Sequence, residues 1–318
     1  MAIFLSDTDV ARLLTMDDAL DAVEEGFRLQ ASGGATNTPR THAPLPNGEF
    51  SVMSAAIPAR GVMGVKTFGL IGESLVSFYL YLYDAENGAL LAVVEANEKG
   101  RIRTGAASGV ATKYLASEGA SMLGIIGAGY QAWTQLQAIT HVRPLREVRV
   151  FCRTPSRMEA LADRARRELG LDAIATGTAE ECVRGADIVV TVTTSQEPVL
   201  KGEWLAEGAH VNAVGSHHLD RAELDAEAVR RAAVVVTDDG AQARLECGDL
   251  AAAIEAGAFG WERAVDLAAV VAGQTLGRVS DSDVTLFESQ GIALEDVAVG
   301  ARLYEIAVAE GAGRELPL

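Results

Sequence analysis

Hydrophobic and polar positions change period along the chain, and the change divides it in two. Near the start, Ser6-Asp7-Thr8-Asp9 and Thr15-Met16-Asp17-Asp18 are capping boxes, and each predicts a helix start. After the second, Met16, Leu20, Val23 and Phe27 fall on one helical face, and Ser32-Gly33-Gly34 stops the helix. Residues 35–60 carry turn residues (Pro39, Pro44, Pro46-Asn47-Gly48, Pro58) between short strands such as Phe50-Ser51-Val52-Met53. Val62 to Phe68 and Val76 to Tyr83 predict further strands joined at Gly72-Glu73, and Asp84-Ala85-Glu86-Asn87-Gly88 turns into Ala89 to Glu95. This first part predicts a mainly antiparallel sheet. Tyr79, Tyr81 and Tyr83 alternate along a strand, as on a sheet face or a dimer interface.

The later pattern is different. Arg101 to Ala111 opens a helix rich in small residues, with Arg103 at its entry. Met122-Leu123-Gly124-Ile125-Ile126-Gly127-Ala128-Gly129-Tyr130-Gln131-Ala132 then predicts a buried strand running into a glycine turn and a helix. Gly127 ends the strand, Gly129 lets backbone approach a pyrophosphate, and Ala132 lets the helix pack closely; the helix start directs N–H groups at the phosphates. Glu147 to Cys152 is a second strand roughly 20 residues on, with helical spacing from Ala132 to His141 between, so the unit is βαβ. An acidic residue at the end of that second strand suits the ribose hydroxyl of NAD, and an arginine suits the 2′-phosphate of NADP. Here the strand ends Phe151-Cys152-Arg153-Thr154, which favours NADP(H) on Arg153 and Thr154; with Arg153 as a solvated loop residue, NAD(H) would serve.

Further on, Ser156 to Leu169 predicts an amphipathic helix, and Asp187 to Thr194, Ala209 to Val214 and Ala233 to Thr237 predict buried strands. Ligands bind beyond the carboxyl ends of such strands, so Thr193-Thr194-Ser195 and Gly215-Ser216-His217-His218 are expected to face cofactor and substrate. Arg244-Leu245-Glu246-Cys247-Gly248-Asp249 is a turn into a helix, and Glu295 to Glu310 is a last helix that returns to the first domain.

Composition sets outer bounds. At 318 residues, 49% of them hydrophobic, the chain suffices for two domains. No stretch has membrane-span length, and Met1-Ala2-Ile3-Phe4 lacks the basic start of a signal peptide, so a cytoplasmic protein is expected. Cys152, Cys182 and Cys247 have no metal-ligand spacing, which predicts free thiols and no metal. A net charge of −17 argues against nucleic acid or anionic membranes as partners, so an anionic substrate needs a local basic pocket. His42, His141 and His210 have no chemical partner legible in the sequence, and His218 is expected to be exposed.

Six segments together resemble the ornithine cyclodeaminase/μ-crystallin family, in order and over nearly the whole chain. They are Pro39-Arg40-Thr41, Gly64-Val65-Lys66, Arg103-Thr104-Gly105-Ala106, Ile126 to Ala132, Thr193-Thr194-Ser195 with Pro198, and Ser289-Gln290-Gly291 with Asp296. The resemblance implies an α/β fold: a Rossmann-type nucleotide domain at 119–297, and an α+β substrate-binding and dimerisation domain from both chain ends, 1–118 and 298–318. It implies a homodimer acting on an amino acid or its imine with a nicotinamide cofactor. Cofactor contacts are expected from Gly127, Gly129, Tyr130, Gln131, Arg153, Thr154, Thr193, Thr194, Ser195, Val214, Ser289 and Gly291.

The same resemblance places Arg40, Lys66 and Arg103 on the substrate carboxylate, with Met53 shaping the pocket. Taken singly, they read as a loop charge, a snorkelling strand lysine and a helix-entry salt bridge. Cyclodeaminases of the family use an acidic residue shortly before the Met53 position and an aspartate after the Val214-Gly215-Ser216 tip; here those places hold Ser51 and His217. The expected reaction is therefore NAD(P)H-dependent reduction of a carboxylated imine, cyclic or acyclic, with Lys66 or His217 handling the proton. His217 reads equally as a polar wall residue. Ornithine cyclodeamination and non-catalytic binding of NADP(H) with a small ligand are the alternatives.

Overall fold

The computed structural model describes residues 2–72 and 74–317. In chain order the strands are β1 (Ile3–Leu5), β2 (Thr36–Leu45), β3 (Gly48–Ile57), β4 (Val62–Ile71), β5 (Ser74–Asp84), β6 (Leu90–Glu95), β7 (Met122–Ile126), β8 (Glu147–Phe151), β9 (Asp172–Ala175), β10 (Ile188–Thr191), β11 (His210–Ala213), β12 (Ala232–Thr237), β13 (Ala264–Asp266), β14 (Val284–Glu288) and β15 (Arg314–Glu315). The helices are α1 (Asp7–Leu13), α2 (Met16–Ala31), α3 (Asn97–Leu115), α4 (Ala132–Val142), α5 (Pro155–Leu169), α6 (Ala179–Val183), α7 (Ala226–Arg231), α8 (Gly240–Glu246), α9 (Gly248–Glu255), α10 (Leu267–Val271) and α11 (Ala293–Glu310). The chain forms two compact units: one from residues up to Ala107 together with those from Gly291 on, the other from Ser108 to Gln290. Both junctions fall earlier than the expected 118 and 297: the first lies within α3, and all of α11 packs with the first unit.

In the first unit a seven-stranded sheet runs β15-β1-β6-β5-β4-β3-β2. All neighbours pair antiparallel except β1 with β6. The two capping boxes start α1 and α2, and Met16, Leu20, Val23 and Phe27 are buried. α11 packs against α2, β3 and β4. Residues 36–57 correct the sequence reading. Pro39 and Pro44 do not break the segment into short strands; they lie inside the ten-residue β2. β2 is an edge strand, where a residue without an N–H costs no ladder bond on its open side, and the register slips between Thr38 and Thr41 to accommodate Pro39. Gly72 is in the turn after β4 as expected, while Glu73 lies outside the described residues.

The second unit is an eight-stranded parallel sheet in the order β13-β12-β14-β11-β10-β7-β8-β9. From β7 the chain moves outward through β8 and β9, then returns to place β10 on β7's other side, so the strand order reverses at β7/β10. Apolar cores cover the sheet, one with Leu123, Ile125, Leu136 and Val148, the other with Val189, Val211, Val235 and Leu286. β9, β13 and β14 were not expected. β14 is the instructive omission: all five of its residues are buried, a run with no alternation to betray a strand. No helix among the described residues is long and apolar enough to cross a membrane.

Candidate functional site

In the first unit the three expected cations converge, and Asp296, Glu295, Gly291 and Lys99 join them. Lys66 sits mid-strand in β4, paired in register with Met53 on one side and Leu80 on the other, and all three are buried. Its Nζ lies 3.2 Å from each carboxylate oxygen of Asp296. Asp296 is in the first turn of α11, where a carboxylate also meets the positive helix end. Arg103 does not stand at a helix entry, because α3 begins at Asn97; it lies further along α3, donating to Glu295 at 2.8 Å with Asp296 3.5 Å away. Arg40, from β2, donates to the Gly291 carbonyl at 2.9 Å. Gly291 has φ +74°, which favours glycine, and a Cβ there would press on the Arg103 guanidinium.

Lys99, Glu295 and Gly291 thus belong to the cluster. Lys99 is wholly buried, with Nζ 2.6 Å from Asp296 Oδ1. The signal that would have found it is an unusual lysine in the buried first turn of a helix, which the later start assigned to α3 concealed. Burial pushes the Lys66 ammonium down to about 7 against the pull of Asp296, with Arg103 and Lys99 adding to the effect. Burial likewise raises Glu295 to about 6, opposed by Arg103. Asp296, facing Lys66, Lys99 and Arg103, is held far below the usual carboxylate range despite its burial. Phe68 and Phe78 stack at 5.1 Å, with Lys66 Nζ 5.9 and 5.7 Å from their ring centres and Arg40 over Phe68 at 5.7 Å. Such contacts favour the charged cations modestly. Ser51, in the acid's place, is buried beside Phe68 in register, and His42 Nδ1 lies 3.0 Å from its hydroxyl.

In the second unit the expected cofactor residues gather at strand ends. Gly127 follows β7 with φ +117°, and a Cβ there would strike the Val192 carbonyl, so glycine is required where β7 and β10 exit together. Gly129 is different: a Cβ would meet nothing within 4 Å. The fold leaves room for a side chain there, and that open space beside the start of α4 is what a pyrophosphate would fill. Gln131, at the start of α4, makes no side-chain cap hydrogen bond, and the helix start directs its amides toward that space. Tyr130 is exposed, and Arg153 and Thr154 are exposed past the end of β8. Thr193, Thr194 and Ser195 follow β10, Val214 follows β11, and Ser289 follows β14. Gly291 is not among these tips; it stands with the cations of the first unit.

One histidine expectation is corrected: His218 is not exposed. His217 and His218 are both half-buried, with rings 4.9 Å apart, because the segment carrying them packs on Gly248, whose Cα leaves no room for a side chain against the carbonyls of His218 and Arg221. His42 also pairs with Glu49 at 3.0 Å, His141 Nδ1 lies 2.7 Å from the Gln137 carbonyl, and His210 sits between Thr285 and Asn212. Glu246 to Asp249 is the junction of α8 and α9. The three cysteines are free, and among the described residues no group of His, Cys, Asp or Glu is arranged to hold a metal.

A parallel sheet with a reversal point, a glycine turn and an uncapped helix start defines a nucleotide-binding oxidoreductase-type fold. The particular family follows from comparison: residues 1–311 match the model of the ornithine cyclodeaminase/mu-crystallin family, and the chain belongs to it. It is 36% identical to an alanine dehydrogenase of Archaeoglobus fulgidus over 99% of this chain and 98% of that protein. Among solved structures it resembles the Thermococcus litoralis Delta(1)-pyrroline-2-carboxylate reductase in complex with NADH and L-proline, with TM-score 0.94, 34% identity, and 99% and 100% of the two chains covered. An archaeal alanine dehydrogenase dimer with bound NAD gives TM-score 0.93 at 34% identity over 100% and 99%.

Proposed function

We propose that this protein is an NAD(P)H-dependent oxidoreductase that reduces a carboxylated imine, a cyclic ketimine or a 2-imino acid, to an L-amino acid, and that it runs in reverse as an amino-acid dehydrogenase. The observation that carries this reading is the buried cluster of cations in the first unit. Lys66, Lys99 and Arg103 gather on the adjacent carboxylates Glu295 and Asp296, and Arg40 reaches the nearby Gly291 carbonyl. Cations gathered in a buried place favour an anion, and a substrate carboxylate would meet them with charge-assisted hydrogen bonds. Lys66, with its ammonium brought to about 7, is suited to give a proton to the imine nitrogen near neutral pH. The reduced nicotinamide supplies the hydride. Met53, buried beside Lys66, would bound the substrate's side, and His217 is the second candidate for the proton.

The cofactor would lie against Gly127, Gly129, Tyr130 and Gln131, with Thr193 to Ser195, Val214 and Ser289 at the nicotinamide end. Exposed Arg153 and Thr154, with no carboxylate at the end of β8, support preference for NADP(H). The reading includes a homodimer in the cytoplasm. Ser51, buried where a cyclodeaminase would carry an acid, supports reduction over ammonia elimination.

The test is oxidation of NADPH and NADH followed by absorbance with cyclic ketimine carboxylates, and with 2-oxo acids plus ammonia or methylamine. Imine-dependent oxidation is expected, and none with any substrate would remove the reading. The Arg153→Ala protein should lose kcat/KM with NADPH while keeping that with NADH; an unchanged ratio would remove the NADP assignment alone.

A further inference from the structure

Lys99 is the buried cation to which neither the sequence nor the proposed reaction gives a task. It lies in the first turn of α3, wholly buried, and its Nζ reaches Asp296 twice: Oδ1 at 2.6 Å and the main-chain carbonyl at 3.2 Å. Asp296 is also the carboxylate that faces Lys66, at 3.2 Å. Two ammonium groups therefore share one carboxylate, and the shorter contact belongs to Lys99. The groups facing Lys66 come from every element around it. α11 brings Asp296 and Glu295, α3 brings Lys99 and Arg103, and the rings of Phe68 and Phe78 come from β4 and β5, with Arg40 of β2 over the same Phe68 ring.

A lone Lys66–Asp296 pair in this buried place would hold its proton firmly, because an adjacent carboxylate favours the ammonium. A second ammonium on the same carboxylate opposes that in two ways. It divides the carboxylate's attraction, and it adds a like charge where water does not screen it. We propose that Lys99 is a positioning residue that weakens the hold of Lys66 on its proton by occupying Asp296, and so makes Lys66 an effective acid toward the imine nitrogen. This rests on the reading of Lys66 as proton donor. Lys99 needs no contact with substrate; it acts through Asp296.

The experiment is the pH profile of kcat/KM for imine reduction in the wild type, Lys99→Met, Lys99→Gln, Lys99→Arg and Lys66→Met. In the wild type, rate should fall as pH rises through the neutral region, where Lys66 loses its proton. In Lys99→Met that limb should move to higher pH by at least about one unit, a tenfold gain in proton affinity. Lys99→Arg, which keeps the charge, should hold the limb near its wild-type place. Lys99→Gln gives the same reading as Lys99→Met should the methionine protein not fold. A merely structural Lys99 would change stability and leave the limb in place, and a limb that coincides with the wild type in both neutral variants would overturn the inference. A wild-type profile with no neutral limb, or one that Lys66→Met retains, would instead overturn the role of Lys66.

Discussion

Glu223 accepts the main-chain amide of Thr193 at 2.6 Å, and its second carboxylate oxygen accepts that of Gly215 at 2.7 Å. Thr193 follows β10 and Gly215 follows β11, so one buried side chain ties the carboxyl ends of two adjacent parallel strands. Its own backbone is fixed in turn, because Asp249 Oδ1 accepts the amides of Glu223 and Leu224 at 2.7 Å each. Glutamine at 223 keeps the volume but turns a donor toward one of the two amides. We expect Glu223→Gln to cost about 1–3 kcal/mol, the penalty for stranding a buried donor. The urea midpoint should fall with the m-value unchanged, and NADPH should bind more weakly as the strand tips loosen. A midpoint equal to wild type would show that the tips hold without the clamp.

The two glycines of the nucleotide turn should respond differently to the same change. At Gly127 alanine meets both a positive φ and the Val192 carbonyl, so Gly127→Ala should lower the melting temperature. At Gly129 alanine meets nothing, so Gly129→Ala should melt with the wild type yet bind NADPH at least about tenfold more weakly, as its methyl enters the pyrophosphate's space. The pair separates fold from ligand. Equal cofactor affinity in Gly129→Ala and wild type would place the pyrophosphate elsewhere.

What the sequence made legible follows physical rules of unequal range. Capping boxes and the βαβ turn are local, and Ser6, Thr15 and Gly127 act as their neighbours in sequence predict. Edge position is not local, so the prolines of β2 read as breaks until β2 proves to have an open side. The alternation that signals a half-buried strand is absent from β14, buried on both faces. The same limit applies at the site. Motifs mark Arg40, Lys66, Arg103 and the position of Asp296, but the role of Glu295 and Asp296 as counter-charges is legible only when α11, about two hundred residues from α3, packs with the first unit.

His210 makes acid sensitivity a property of the second unit. It is buried on β11 between Thr285 Oγ1 at 3.0 Å and Asn212 Oδ1 at 3.2 Å, and burial, with Arg278 beside it, pushes its pKa down from 6.5 to about 3. The folded state thus holds the ring neutral while the unfolded chain takes up a proton below pH 6.5. Stability from this group is complete above pH 6.5 and is lost as pH falls toward 3. His210→Gln should be less stable at pH 7, but its melting temperature should fall less steeply between pH 6.5 and 4 than that of the wild type. Other buried acids titrate alike in both proteins, so the difference reports His210. Parallel curves would assign the acid sensitivity to other groups.

Arg103 and Glu295 permit substrate affinity to be separated from fold stability. Both are buried and meet at 2.8 Å, so removing the arginine alone strands a carboxylate, at a cost on the order of 3–5 kcal/mol for a buried pair. The cost should be reduced because Glu295, already raised to about 6, can take up a proton when its partner is lost. Arg103→Met should therefore be destabilised more at pH 8 than at pH 5.5. The double variant Arg103→Met/Glu295→Gln removes the stranded charge and should recover much of that stability. It should not recover the substrate KM, since the guanidinium that would bind the carboxylate remains absent. Calorimetry and steady-state kinetics on the two variants read the two effects separately. A double variant with wild-type KM would leave Arg103 a structural partner of Glu295 and remove it from the carboxylate site.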